Sequence, residues 1–342
     1  MNSIGNRIRW LSVTRCVALV LAAFLPLDLT CASGAGIVPL RKVADIPLGG
    51  HTTRLDYVSF DLARNLLYIA HLGDSEVIVF NLKTSQVAGR ISNVSGVHGV
   101  LAVSELGRAY ATATGSKEVV VIDPTTMKIT ARIPTRGYPD GLAFAPDVHK
   151  LYVSDERGGN EAVIDVRSDA IIATIALGGE AGNTQYDPIS KHIFVNVQTR
   201  AQLVEIDPTS DTVIARHNLS GAKGNHGLLI DPDHHLAFIA CEGNDKLLVF
   251  DMQTKRVIAS ISVGTGPDVL AYDEAYRYLY VASESGPLLI FRVASGGVAK
   301  LGELVVGANA HVVGVDQTMH RVYLPLKNLD GHTALSVFNE IR

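Results

Sequence analysis

Asp56, His98, Asp140, Asn183, His226, Asp268 and His311 follow one another at intervals of 42, 42, 43, 43, 42 and 43 residues. Carboxylates and imidazoles are the side chains that exchange protons, hold divalent ions and grip charged ligands. A second set recurs just downstream of each repeat's aromatic landmark: His71, Asp74, Asp155, Glu156, Gln198, Glu242, Glu284 and Lys327. Arg54 precedes Asp56 by two residues and offers either a counter-charge for the acids or a grip for a ligand carboxylate. If both sets open on one face of a ring, His226 and His311 flank Asp268, with Glu242 and Glu284 near. Two imidazoles with carboxylates suit zinc or another divalent transition ion, whereas oxygen-only sets suit calcium or magnesium.

The elements that must position these groups are legible as a repeat. Tyr68, Tyr110, Tyr152, Phe194, Phe238, Tyr280 and Tyr323 each open a short β-rich run, at separations of 42, 42, 42, 44, 42 and 43 residues. Each unit reads as four short strands rich in Val, Ile, Leu and Tyr. In the third, "GLAFA", "KLYVSD", "EAVIDV" and "AIIATIAL" are the strands. Turns such as "DPTT" at 123–126 and "DPTS" at 207–210 follow the third strand, the proline presetting φ and the aspartate bonding the amides beyond it. A four-stranded unit cannot bury both faces alone, and stacking neighbours in a ring does so. The expected fold is all-β, a seven-bladed propeller of four antiparallel strands per blade. Its repeats run about 51–92, 93–134, 135–177, 178–219, 220–263, 264–306 and 307–342. The last unit lacks a strand, and "IVPLRKVADIPL" at 37–48 is placed to complete it and close the ring.

Residues 1–35 read as a signal peptide: Arg7, Arg9 and Arg15, then the apolar "CVALVLAAFLPL", then the small residues "CASGAG". Cleavage after Ala35 or Ala32 is acceptable, and acylation at Cys31 is the lesser alternative. The expected location is the periplasm or outside the cell, with no transmembrane segment in the mature chain. Loss of three arginines and one aspartate leaves 27 basic and 33 acidic residues, a net charge of −6. No basic cluster remains, which argues against nucleic acid as the primary partner. Cys241 is then the only cysteine, so no internal disulfide forms, and beside Glu242 it reads as a buried inert thiol. Trp10, the sole tryptophan, leaves with the signal, which excludes Trp-Asp repeats and tryptophan-anchored blades. Covalent c-type haem, a nucleophile elbow and a phosphate loop have no motif here. His234 and His235 in "DPDHH" read as a solvated turn on the opposite face, and "ERGGNEA" at 156–162 as a lengthened top loop.

"YPDGLAFAPDVHKLYVSDE" at 138–156, with "VIDVRSDAIIATI" after it, and "GPDVLAYDEAYRYLYVAS" at 266–283 resemble the YVTN-repeat, YncE-like propellers of secreted bacterial proteins. The resemblance covers essentially the whole mature chain, although Asp155 and Ser283 stand at the tetrad's Asn position. It implies the propeller and hardly any reaction. The first functional expectation is therefore a monomeric binding or scaffolding module for an unidentified protein or small molecule. Arg54, Asp56, His98, Asp140, Asn183, His226, Asp268 and His311 are its ligand-binding candidates. The alternative, by architectural likeness to the seven-bladed lyase that opens streptogramin antibiotics, is a metal-dependent lyase or lactonase. His226, His311, Glu242 and Glu284 would be its catalytic candidates, and His226, Asp268, His311, Glu242 and Glu284 would hold one divalent ion. Convergence of both histidines on a carboxylate would favour that chemistry. Hydrogen bonds from each histidine to a neighbouring blade's aspartate would favour the scaffold.

Overall fold

The computed structural model describes Met1 and residues 38–341; the segment read as a signal peptide lies outside the described residues. Seven four-stranded antiparallel sheets follow one another along the chain. Blade 3 shows the unit: Pro139–Ala145, Lys150–Asp155, Asn160–Asp165 and Ala170–Ala176, each strand paired with the next. The first strand of each blade lies innermost. These strands are Val58–Asp61, Val97–Val103, Pro139–Ala145, Ala181–Asp187, Asn225–Asp231, Pro267–Asp273 and Gly314–Asp316, and each packs against its counterparts in the adjoining blades. Besides strands, the described residues carry only short 3₁₀ turns, and no helix among them is long and apolar enough to cross a membrane.

Burial follows position in the blade. The second and third strands are covered on both faces by neighbouring blades, so Leu66–His71 and Leu236–Cys241 are buried at every residue. The outermost strands, such as Gln86–Ser92 and Arg256–Ser262, alternate exposed and half-buried residues. The seven repeat aromatics from Tyr68 to Tyr323 are all buried. Two of them also tie blades together: the Tyr152 hydroxyl donates to Asp211 of blade 4 at 2.6 Å, and the Tyr280 hydroxyl to Glu340 of blade 7 at 2.7 Å. The turns form as their sequence requires, with Asp123 accepting from the Thr125 amide and Asp207 from the Thr209 amide, both at 2.8 Å.

Ring closure is by the N-terminal strand. Leu40–Pro47 pairs antiparallel with His332–Glu340, making the fourth strand of blade 7. The inner strands approach one another closely enough to restrict side chains there. A Cβ on Gly99 would lie 2.2 Å from the Asp140 carbonyl oxygen, and one on Gly227 2.0 Å from that of Asp268. Glycine at these positions lets blade follow blade around the axis.

Glu161 is an exception inside the core. Its counterparts in the third strands of blades 1, 2, 4 and 5 are Val77, Val119, Leu203 and Leu247. Its side chain is fully buried, neither carboxyl oxygen has a hydrogen-bond partner among the described residues, and Thr184 is the one polar neighbour that favours its charged form. Burial raises its pKa well above the ordinary carboxylate value, which favours the protonated form in the folded chain. Glu161→Leu should therefore stabilise the protein by about 1–3 kcal/mol, the cost of an unsatisfied buried polar group. Urea denaturation of the two proteins measures it; an unchanged or lowered midpoint would show that the carboxyl has a partner in solution.

Candidate functional site

The channel mouth gathers most of the repeat-register residues at the top ends of the inner strands. Asp56 and His311 come just before their strands, and His98, Asp140, Asn183, His226 and Asp268 are the second or third residues of theirs. Asp56, His98, Asp140, His226 and Asp268 line a cavity of about 420 Å³ together with Arg54, Tyr57, Tyr138, Glu156, Arg157 and Glu242, while His311 lies behind that lining. Asp56, Asp140, His226, Asp268 and His311 are buried from bulk water, and Glu242 stands exposed at the rim.

Tyr57 closes the floor. Its hydroxyl crosses the ring from blade 1, donating to Asn183 Oδ1 of blade 4 and meeting His226 Nε2 of blade 5 at 3.0 Å. Below this ring the channel continues as a second cavity of about 350 Å³, walled by Phe60, Leu228, Leu270 and Val315 among others. Asn183 lines that lower space and not the mouth. Tyr57 was not singled out from the sequence, although a signal is there: the matching position is Gly99, Gly141 and Gly227 in three other blades. Tyr138 and Arg157 were also passed over. The Tyr138 hydroxyl donates to His98 Nε2 at 2.8 Å, and the Arg157 guanidinium stacks over the Tyr138 ring at 4.1 Å. The lengthened loop at 156–162 thus supplies a wall of the mouth.

The expected Asp–His hydrogen bonds between neighbouring blades do not form. The shortest approaches are His226 Nε2 to Asp140 Oδ2 at 3.7 Å, to Asp268 Oδ1 at 3.8 Å, and His311 Nε2 to Asp56 Oδ1 at 4.0 Å. The imidazoles find other partners: His98 Nδ1 donates to the Gly96 carbonyl at 2.8 Å and His311 Nδ1 to that of Asn309 at 3.2 Å. The two histidines do not share one cluster either. His226 groups with Glu242 and Asp268, and His311 with Asp56 and Asp268, so Asp268 joins two sets.

Electrostatics separate the three histidines. Burial alone would lower His226, but Asp268 and Asp140 outweigh it and hold the imidazole at about 9. Its Nε2–H therefore donates to the Tyr57 oxygen, whose own proton goes to Asn183. Burial lowers His98 and His311, which are neutral at pH 7. Among the acids, burial drives Asp140 up to about 7 against the pull of His226, and raises Asp56 well above the usual range together with Asp268 and Asp140. Glu242 reaches about 7 through partial removal from water and the nearby carboxylates. Arg54 gives its one close bond to Glu284, at 2.7 Å, and faces Asp56 and Asp268 at 3.8 and 3.9 Å. It offsets part of the acidic charge of the mouth and ties down Glu284.

Several loop residues do other work. His71 was placed at the top opening, yet it is wholly buried and bonded to Thr53 at 3.0 Å and Glu76 at 3.2 Å. As the last residue of a strand covered on both faces, it points into the blade. Asp155 accepts from the Tyr138 and Gly158 amides, at 2.6 and 3.0 Å, and shapes the loop. Gln198 donates to the Ala181 carbonyl at 2.9 Å. His234 is held by Asp231 at 2.8 Å in its own turn, away from the mouth. Cys241 is buried and its thiol is pushed up to about 11 by that burial, which leaves it unreactive.

No family model matches the sequence, and no curated protein is similar to it. Solved structures are another matter. Kuenenia stuttgartiensis hydrazine synthase superposes with a TM-score of 0.72 at 14% identity, covering 86% of this chain and 96% of that one. The fold is a seven-bladed propeller. At that identity the likeness is one of architecture, and 1766 solved chains match this chain, so the architecture alone selects no chemistry.

Proposed function

We propose that this chain is a secreted binding module of the YVTN-repeat kind that holds a small, positively charged ligand in the mouth of its channel. One observation carries the reading: Tyr57 makes the mouth a blind cavity, and five carboxyl groups in its lining face only two arginines and one charged imidazole. Its volume falls within the ~300–1,000 Å³ common for small-molecule sites. Burial favours the protonated form of both Asp56 and Asp140, so an incoming cation is what would draw these groups into ionising. The N-terminal sequence supports export to the periplasm, and a scaffold for a protein partner remains the reading to adopt if no small ligand binds.

Calorimetry with a diamine, a guanidinium compound and a dicarboxylate at pH 8 tests it. The two cations should bind and the dicarboxylate should not. Asp140→Asn should weaken cation binding about tenfold, or ~1.4 kcal/mol. Preference for the dicarboxylate would sink the proposal. A second reading, a lyase or lactonase, draws support from the pairing of protonated His226 with Glu242, an acid held at about 9 beside a base held at about 7. Lactone opening that disappears in His226→Ala would favour it, and no turnover of any lactone tried would remove it.

A further inference from the structure

We propose that His311, Asp56 and Asp268 bind one divalent first-row transition ion, zinc or manganese, in the wall of the mouth. The inference rests on reading the mouth as a ligand site and gives that site an inorganic occupant. His311 is 1% exposed, and its Nδ1–H is committed to the Asn309 carbonyl at 3.2 Å. That bond fixes the tautomer and leaves Nε2 a bare lone pair, the arrangement in which imidazole ligates metals. Nε2 has no hydrogen-bond partner among the described residues, and neither has Asp268 Oδ1. Asp268 and Asp56 are 4% and 2% exposed.

One donor atom from each of the three residues lies within 4.8 Å of the others. Tetrahedral donors about 2.1 Å from an ion stand ~3.4 Å from one another, so the three residues close by up to ~1.4 Å to complete the site. Unpaired buried polar atoms are rare in folded proteins, and two in one cluster point to a missing partner. Arg54 does not supply it: the guanidinium faces the Oδ2 atoms of Asp56 and Asp268 at 3.8 and 3.9 Å and bonds closely only to Glu284. The other set, His226 with Glu242 and Asp268, is less prepared. His226 Nε2 is engaged by the Tyr57 hydroxyl at 3.0 Å, and Glu242 is exposed at the rim. One imidazole nitrogen with two carboxylates suits zinc or manganese better than calcium or magnesium, which take oxygen alone.

The test uses untagged protein stripped with a chelator, titrated with Zn²⁺ and Mn²⁺ by calorimetry and with Co²⁺ by visible absorption. One ion per chain should bind. His311→Ala and Asp56→Asn should each weaken binding beyond the ~10–100-fold typical of an outer partner and abolish the Co²⁺ bands, while His226→Ala keeps them. Asp56→Asn preserves side-chain size and decides the matter if His311→Ala does not fold. No binding in the parent, binding that survives both substitutions, or bands lost in His226→Ala instead would each overturn the inference. A diamine titrated into the same stripped protein separates the two readings. Diamine binding without metal binding defeats this inference and leaves the proposed function standing; metal binding without diamine binding supports the ion site and removes the organic ligand.

Discussion

A chain that begins at Gly49 should lose more than about 4–5 kcal/mol of stability relative to one that begins at Gly36, the range reached only when a structural element fails. Leu40–Pro47 pairs with His332–Glu340 over its whole length, and Asp45 accepts from the Ser336 hydroxyl. Leu48 continues the seam, its amide donating to the Thr333 carbonyl at 2.8 Å and its side chain buried with Leu55 and Leu335. Without this strand, blade 7 keeps three strands and bares the backbone of His332–Glu340 as a free edge. Guanidinium denaturation should show the lost stability, and light scattering should show association through the bared edge. A synthetic peptide of residues 38–49 should restore the monomer by adding the strand in trans. If the shortened chain unfolds at the parent's midpoint, the closing strand is decoration and the ring is held elsewhere.

This strand was legible before the structure because a period of about 42 residues leaves a remainder: one unit short by a strand and one strand without a unit. The blades were legible for the same reason, since each pattern was read seven times. The site was legible only in part. The repeat gave the height of Asp56, Asp140, His226, Asp268 and His311 along the axis, and all five line or adjoin the mouth. It did not give their partners, because those lie across the ring: Tyr57 meets Asn183 and His226 at separations of 126 and 169 residues. Local register carries no information about contacts of that range. His71 failed for another reason. It sits at a strand end, where one further residue of pairing, to Glu76, turns a loop ligand into a core hydrogen-bonding group. Glu161 was hidden within "EAVIDV", a strand whose apolar pattern survives one misplaced carboxyl.

The mouth should make stability and cation binding respond to pH in opposite directions. In the metal-free protein, burial raises Asp140 to about 7, and Asp268 with Asp140 raises His226 to about 9 in spite of burial. A group whose folded pKa lies above its unfolded one holds its proton more tightly when folded. The stability it lends is complete below the unfolded value, near 4 for the aspartate and 6.5 for the histidine, and disappears as pH rises through the folded value. Both therefore act alike, and these two groups together should lower stability by roughly 7 kcal/mol between pH 4 and 9. Glu205 opposes this only at the acid end. His217, against partial burial, and then His192 hold it down at about 2, so its contribution is present above 4.5 and is lost below. Asp140→Asn should flatten the decline between pH 4 and about 6.5, leaving the His226 part above that. Cation affinity runs the other way, because a cation must displace the proton that Asp140 holds. Between pH 6 and 8, binding should tighten by up to ~10-fold per unit for each proton released. Calorimetry in two buffers of different ionisation enthalpy would count those protons. An affinity independent of pH would place the ligand away from the buried acids, and stability that rises from pH 5 to 8 would mean that Asp140 is ionised in the empty mouth.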